Sequence, residues 1–396
     1  MISLPTMEQL FVFNILEKSL LGITSGLFIV QIFYYLVVYS RPLRYAKKKG
    51  HDLPPTTQPP VSVIVYAKNE SVNLQKHLPV LLTQNYPEYE VIVVNDGSTD
   101  ESDEILKSFE NQYPHLYHTY IPEDVKYLSR KKLALTVGIK AAKHDILLFT
   151  EANCQPLSQQ WIACMAKKYT PQTDIILGFS AYGYHKGFIH QLAAYDNLLT
   201  GLQYLSSALK HHPFSGNGRN LSYRKELFFK QKGFYKSLNL HAGDDDLFIN
   251  ETANKQNTKA EFSKESITLM TPVERYKIWK EMKVSRAATR QHYKGKYLTF
   301  YRIEAVSFIL FLISAIYSII IGITGNVLVA VAGISFYLLL FLTHAIVLHK
   351  SSKMLEQKTT TAWLPILEFI QPLFSLYVRV YRIFRGKNDY TFRLGK

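Results

Sequence analysis

Three consecutive acids, Asp244, Asp245 and Asp246, stand in the stretch HAGDDDLF directly ahead of an apolar run. Like charges this close repel, so one of them gains affinity for its proton, which brings a carboxylate toward the working range of a general base. The same triplet also suits a capped helix start, where acids meet the positive end of the helix. A fourth acid, Asp96, closes the apolar run VIVVND and precedes the turn GSTDES. The β-branched run reads as a covered parallel strand, and the turn supplies Thr, Asp and Ser as candidate helix caps. Parallel sheets bind ligands beyond the carboxyl ends of their strands, which gives Asp96 a ligand to meet, although NDGS is equally an ordinary turn.

Positioning such acids requires a repeating scaffold, and the middle of the chain has one. VSVIVYA reads as a first strand, Leu74, Leu78, Leu81 and Leu82 recur at helical spacing, NYPEYE breaks that helix, and VIVVND is the second strand. ESDEILKSFENQ, LYHTYI, KKLALTVGIKAA and DILLFT continue helix, strand, helix, strand, the pattern of an α/β domain with a mostly parallel sheet. Cys154 and Cys164 are the only cysteines, too few for a disulfide framework or a Cys-rich metal site and in keeping with a reducing compartment.

Length and hydropathy place this domain among membrane segments. Leu20 to Tyr39 is an uncharged run of the ~20 residues that span hydrocarbon, and Ala305 to Thr324 and Val327 to Leu348 form a second and third, parted only by Gly325 and Asn326. Arg41, Arg44, Lys47, Lys48 and Lys49 follow the first span, so the positive-inside rule puts the polar middle in the cytoplasm, at the inner (plasma) membrane. The expected division is an N-terminal anchor over 1–45, a Pro-rich linker over 46–60, the α/β domain over 61–270, an amphipathic interfacial segment over 271–300 and a transmembrane hairpin over 301–350. Over 351–396, Pro365, Glu368 and Pro372 interrupt the last apolar stretch, which reads as an interfacial or re-entrant helix with a basic tail. The net charge of +15 lies largely beside these segments, including Arg379, Arg382, Arg385, Lys387, Arg393 and Lys396, and anionic lipid rather than nucleic acid is its expected partner.

Six ordered stretches, VSVIVYAKNES, VIVVNDGSTD, SRKKLALTVGIKAA, DILLFTEANCQP, GNGRNLSYRKELF and HAGDDDLFIN, together resemble the family 2 glycosyltransferases of the Rossmann-like GT-A fold. That group includes cellulose and hyaluronan synthases and dolichyl-phosphate mannosyltransferase. The resemblance implies an inverting hexosyltransferase that moves sugar from a nucleotide-sugar donor to a membrane-associated acceptor, lipid-linked or a cell-envelope glycan. It places Asp96 at the nucleotide base, and Glu70, after the first strand, beside the ribose hydroxyls. Lys131, flanked by Arg130 and Lys132, matches the lysine that faces the diphosphate, although a basic trio also makes a solvated helix start. Asp244 matches the general base, with Gly243 where the family has Glu, and Asp245 is its neighbour. Gly216, Asn217 and Asn220 fall in the loop that borders the acceptor.

Two departures qualify this picture. The family's metal-binding Asp-x-Asp reads Glu151-Ala152-Asn153 here, and Asn153 brings no charge, so a divalent Mg²⁺ or Mn²⁺ would be weakly held or dispensable. The Gln-x-x-Arg-Trp signature of processive synthases survives only as Arg286, which speaks against a long-chain polymerase and leaves Arg286 beside the departing diphosphate. An inert GT-A-like scaffold or nucleotide-sugar sensor is the competing expectation. A transporter is disfavoured, because the clear spans carry no charged pathway residues apart from His344.

Overall fold

The computed structural model describes residues 11–48, 58–122, 129–359 and 361–385. Much of the Pro-rich linker and of the basic tail, with Lys387, Arg393 and Lys396, lies outside these residues. Helix α1 (Ile15–Phe33) runs through a wider π turn (Tyr34–Tyr39) into α2 (Arg41–Lys48). The α/β domain follows as β1 (Val61–Ala67), α3 (Ser71–Leu82), β2 (Tyr89–Asn95), α4 (Ser102–Glu110), β3 (Leu116–Tyr120), α5 (Arg130–Ala141) and β4 (Ile146–Glu151). Its second half comprises β5 (Cys154–Pro156), β6 (Ile175–Leu177), β7 (Ser180–Tyr182), the long α6 (Phe188–Leu209), β8 (Leu221–Arg224), α7 (Asp246–Thr252), β9 (Thr258–Ala260) and β10 (Thr268–Met270). Helices α8 (Tyr276–Arg290), α9 (Tyr297–Thr324), α10 (Val327–Met354) and α11 (Leu364–Arg385) complete the chain.

The main sheet has the order β3-β2-β1-β4-β8-β6-β9. Its first four strands are parallel, and β8 enters antiparallel between β4 and β6. The apolar runs of β1, β2 and β4 are buried on both faces, whereas the edge strand β3 exposes Tyr117 and Tyr120, and Leu74, Leu78, Leu81 and Leu82 of α3 are all buried against the sheet. Register then decides where the polar residues go. Tyr66 pairs with Glu151 and Ala67 with Asn95, so Glu151, which ends β4, and Asp96, which follows β2, emerge at one edge. Gly97 turns the chain there with φ 61°, a conformation glycine adopts without steric cost.

Among the described residues three helices, over Ile15–Lys48, Tyr297–Thr324 and Val327–Met354, are long and apolar enough to cross a membrane. Small residues let α9 and α10 approach closely, since a Cβ at Gly322 would lie 2.2 Å from the Ala330 nitrogen. Polar side chains tie α1 to α9: Gln31 donates to Ser307 Oγ at 2.7 Å and to the Glu304 carbonyl at 2.9 Å. One apolar core runs from the sheet through α6 to Tyr35, Trp279, Val347 and Leu367, so the membrane helices and the α/β domain share packing.

Candidate active site

The N-terminus of α5 faces the carboxyl edge of the sheet, and four consecutive residues there each hold a different part of the site. Ser129 Oγ donates to the His241 carbonyl at 2.7 Å. Arg130 Nε donates to Asp96 Oδ1 at 2.7 Å. Lys131 Nζ lies 2.7 Å from Glu151 and 3.1 Å from Asp244. Lys132, buried, donates to the Leu240 carbonyl at 3.1 Å and to Ser237. The loop carrying the three acids is thus held to the helix that faces the strand ends.

Asp96 is buried, with the Tyr66 hydroxyl donating to its second oxygen at 2.7 Å and Lys68 at 3.7 Å. Glu70, half-buried, accepts from Asn73, and its carboxyl is raised by burial and by the nearby Glu151 and Asp100. A cleft of ≈ 290 Å³ of empty space, open to solvent, is lined by Tyr66, Lys131, Glu151, Gly218, Asp244 and Asp245. Within it the charges are strongly coupled. Burial alone would raise Glu151, yet Arg219, at 2.7 Å, and Lys131 hold its carboxyl down at about 2. Burial likewise disfavours the Lys131 ammonium, and Asp244 and Glu151 outweigh it and hold the pKa above the usual lysine range.

The three adjacent acids diverge. Asp246 turns away from the cleft and accepts from Thr289 and, at 2.8 Å, from Tyr293. Asp245 caps α7, accepting from the Asp246 and Gly218 N–H groups at 2.6 and 2.8 Å, and burial followed by Asp244 and Asp246 pushes it up to about 6. Asp244 is buried, lines the cleft and pairs with Lys131. Gly243 sits at φ 94°, where a Cβ would meet Leu247 at 2.5 Å, so this backbone is built around the absence of a side chain.

Asn220 is fully buried, and both its amide N–H groups and its oxygen are used inside the core, by the Phe179 and Ser266 carbonyls and the Trp161 indole, so it supports the loop rather than facing an acceptor. Asn217 bonds its own loop, accepting from the Arg219 N–H at 3.2 Å, and Gly216 packs against Leu177 and Ile249. Asn153 Oδ1 accepts the Cys154 thiol at 3.1 Å, and both oxygens of Glu151 already face cations. Among the described residues no group of three His, Cys, Asp or Glu is placed to hold a metal. Glu151 and Asn153 therefore do not fit a preformed divalent site in this arrangement. Arg286 stands in a neighbouring cavity, against Asp196 at 3.5 Å and Thr200 at 3.3 Å, rather than in the cleft. Arg219 and Tyr66 are the site residues that sequence reasoning passed over. Arg219 was visible only as one more polar residue in GNGRN.

The sequence model described as glycosyl transferase family 2 matches residues 62–229. The chain carries a family 2 glycosyltransferase domain. Over 109 residues it is 38% identical to the glycosyltransferase AglE of Haloferax volcanii, 27% of this chain and 34% of that one. Over 93 residues it is 32% identical to a poly-β-1,6-N-acetyl-D-glucosamine synthase of Staphylococcus epidermidis, 24% of this chain and 21% of the other. These alignments span about a third or less of the relatives' lengths. In fold, the chain is similar to the mannosyltransferase PcManGT from Pyrobaculum calidifontis, solved with GDP-Man and Mn²⁺, with a TM-score of 0.55 at 17% identity, covering 85% of this chain and 98% of the other. The GT-A fold and the family thus agree with the motif order.

Proposed function

We propose that the protein is an inverting hexosyltransferase that moves a sugar from a nucleotide-sugar donor to a membrane-associated acceptor, lipid-linked or a cell-envelope glycan. The observation that carries this reading is the Lys131 ammonium, which joins the Glu151 and Asp244 carboxylates in an open cleft at the strand ends. A donor diphosphate entering the cleft competes for Lys131 and Arg219, and Asp244 is then released to act. Asp96 and Glu70 stand at the same sheet edge to meet the nucleoside. Asp244 takes the proton of the acceptor hydroxyl, the oxygen bonds to the anomeric carbon, and the carbon–phosphate oxygen bond breaks as the nucleoside diphosphate leaves toward Lys131 and Arg219. The membrane segments and the basic residues Arg41, Arg44, Lys47 and Lys48 support a cytoplasmic domain held at the plasma membrane.

A second reading of the base is favoured by one observation. Asp245 also lines the cleft, and its raised pKa of about 6 suits proton acceptance near neutral pH. Two hydrogen bonds from backbone N–H groups occupy its oxygens, whereas Asp244 is held by a lysine that substrate can draw away. Purified full-length protein in lipid, screened for nucleoside diphosphate release from a panel of nucleotide sugars with and without acceptors, tests the function. Acceptor-stimulated release from one donor class is expected, and donor binding with no release from any would leave an inert sensor.

A further inference from the structure

We infer that Lys132 is a positioning residue for sugar transfer, fastening the segment that leads to Asp244 onto helix α5 by contacts that substrate does not disturb. This inference rests on the transferase reading and goes beyond it, to a residue that does not line the cleft. The basic trio Arg130, Lys131 and Lys132 divides by direction. Successive residues of a helix point about 100° apart. Lys131 lies against the acids of the cleft, while Lys132 is 1% exposed and packs against Ser237 and Leu240.

An ammonium has three N–H groups, and three oxygens stand within its reach: the Ser237 carbonyl, the Ser237 hydroxyl at 3.1 Å and the Leu240 carbonyl at 3.1 Å. The carbonyl of the next residue, His241, accepts from Ser129 Oγ at 2.7 Å. These bonds tie residues 237–241 to the start of α5, and Asp244 follows three residues on. On its other side Asp245 caps α7, so the chain is anchored both before and after Asp244. None of the three oxygens around Lys132 is charged. Burial outweighs the attraction of Asp244, Asp246 and Asp245, and brings the ammonium down to about 8. The protonated form donates three bonds and is drawn toward those acids. The neutral amine turns a lone pair toward an oxygen and loses that attraction.

Two links hold Asp244 to α5, and substrate acts on only one. A donor diphosphate draws Lys131 away from Asp244, which frees the base and also removes the ion pair that held it. Lys132 and Ser129 bond main-chain carbonyls instead, so their hold persists and keeps the released carboxylate where the acceptor hydroxyl arrives. Such positioning acts on the chemical step, in which a misplacement of ~1 Å costs about 10²-fold in rate. Donor binding, through Lys131, Arg219, Asp96 and Glu70, does not pass through it.

The test is steady-state release of nucleoside diphosphate by full-length protein in nanodiscs, from pH 7 to 9.5. UDP-glucose, UDP-N-acetylglucosamine and GDP-mannose serve as donor probes, with a total membrane lipid extract as acceptor source. Wild-type kcat should fall as pH rises through about 8, where Lys132 gives up its proton. Lys132→Met, of similar length but uncharged, should lower kcat at pH 7 about ten- to hundredfold, keep the donor KM within about twofold and abolish that alkaline limb. Ser129→Ala removes one bond and serves where the Met variant does not fold; it should lower kcat about two- to tenfold at unchanged donor KM. Wild-type kcat in either variant, a loss that falls on donor KM instead, or a limb that survives in Lys132→Met would overturn the inference. Donor binding measured on the same samples separates the two readings. Wild-type protein that binds a probe and releases no nucleoside diphosphate defeats the transferase and this inference with it, whereas wild-type release with kcat flat through pH 8 defeats the role of Lys132 alone.

Discussion

Glu151 and Asp196 are both buried carboxylates held between two cations, and their surroundings differ in the sign of what is left over. Around Glu151, the cations Lys131 and Arg219 meet further acids, Asp244 and Asp245, in an open cleft. Around Asp196, Lys283 and Arg286 meet no second acid lining the cavity among the described residues. The first cluster has cations that a diphosphate can borrow while freeing an acid for proton transfer. The second has cations with spare bonding capacity and no acid to free. Similar ion pairs thus sit beside a further acid in one place and beside an orphaned indole N–H, that of Trp279, in the other.

The largest expected effect comes from Asp244→Asn. The amide keeps the size of the side chain but cannot take a proton, so transfer should fall about 10²–10⁴-fold with donor affinity nearly intact. Asp245→Asn should cost less. Measured turnover that survives in the Asp244 variant and collapses in the Asp245 variant would move the base by one residue.

Next in size is Lys131→Met, which removes the cation shared by Glu151 and Asp244. Charge-assisted hydrogen bonds contribute about 1.5–3 kcal/mol each, so donor affinity should weaken about ten- to hundredfold. Arg286→Gln should leave donor affinity within about twofold, because Arg286 lies in the other cavity. Equal losses in the two variants would merge the two regions and restore Arg286 to the diphosphate.

The contrast also marks what was legible in the sequence. The cleft is built on strand ends, where alternation of apolar runs and turn residues fixes both the strand and the polar residue that follows it, which made Asp96 legible, whereas Lys131 and Glu151 came from the family resemblance. Asp244 was read from motif order, and the structure brings it to Lys131. The Asp196 cavity is lined from β7, α6 and α8, distant in the chain, and nothing in the spacing of Asp196, Lys283 and Gln371 tells that they meet. Asn220 failed for a related reason: a polar residue in a Gly-rich loop looks available until packing shows its amide saturated by the core. Arg219 was hidden because its partner lies across the sheet edge, 68 residues away in the chain.

A smaller effect concerns metal. With both Glu151 oxygens facing cations, chelator should lower turnover less than about tenfold, and Arg219→Gln, which frees one oxygen, should make turnover more responsive to added Mn²⁺. Asn153→Asp should act in the same direction by adding a carboxylate. Complete loss in chelator, restored only by Mn²⁺ or Mg²⁺, would show that a divalent ion displaces Lys131 or Arg219 from Glu151 during catalysis.

The smallest effect tests the electrostatics of the cleft through stability. Asp245 is raised from 3.8 to about 6 in the folded protein, so between those values the folded state holds a proton that the unfolded chain has lost. Stability from this group is therefore greatest in acid and falls as pH rises through 6, with the charged, buried carboxylate remaining a burden above it. Asp245→Asn removes that burden and gives up one of two backbone hydrogen bonds, because an amide has a single accepting oxygen. The two changes leave a net gain of about 1–2 kcal/mol at neutral pH. Glu151 has the opposite sign: held at about 2, it loses its contribution only as pH falls below the ordinary carboxylate range. Thermal unfolding of both proteins in nanodiscs from pH 5 to 7.5 thus isolates Asp245, and the variant's midpoint should rise relative to wild type across that interval. Parallel curves would mean that Asp245 is ionised throughout, and that the acid excess of the cleft is already neutralised by Lys131 and Arg219.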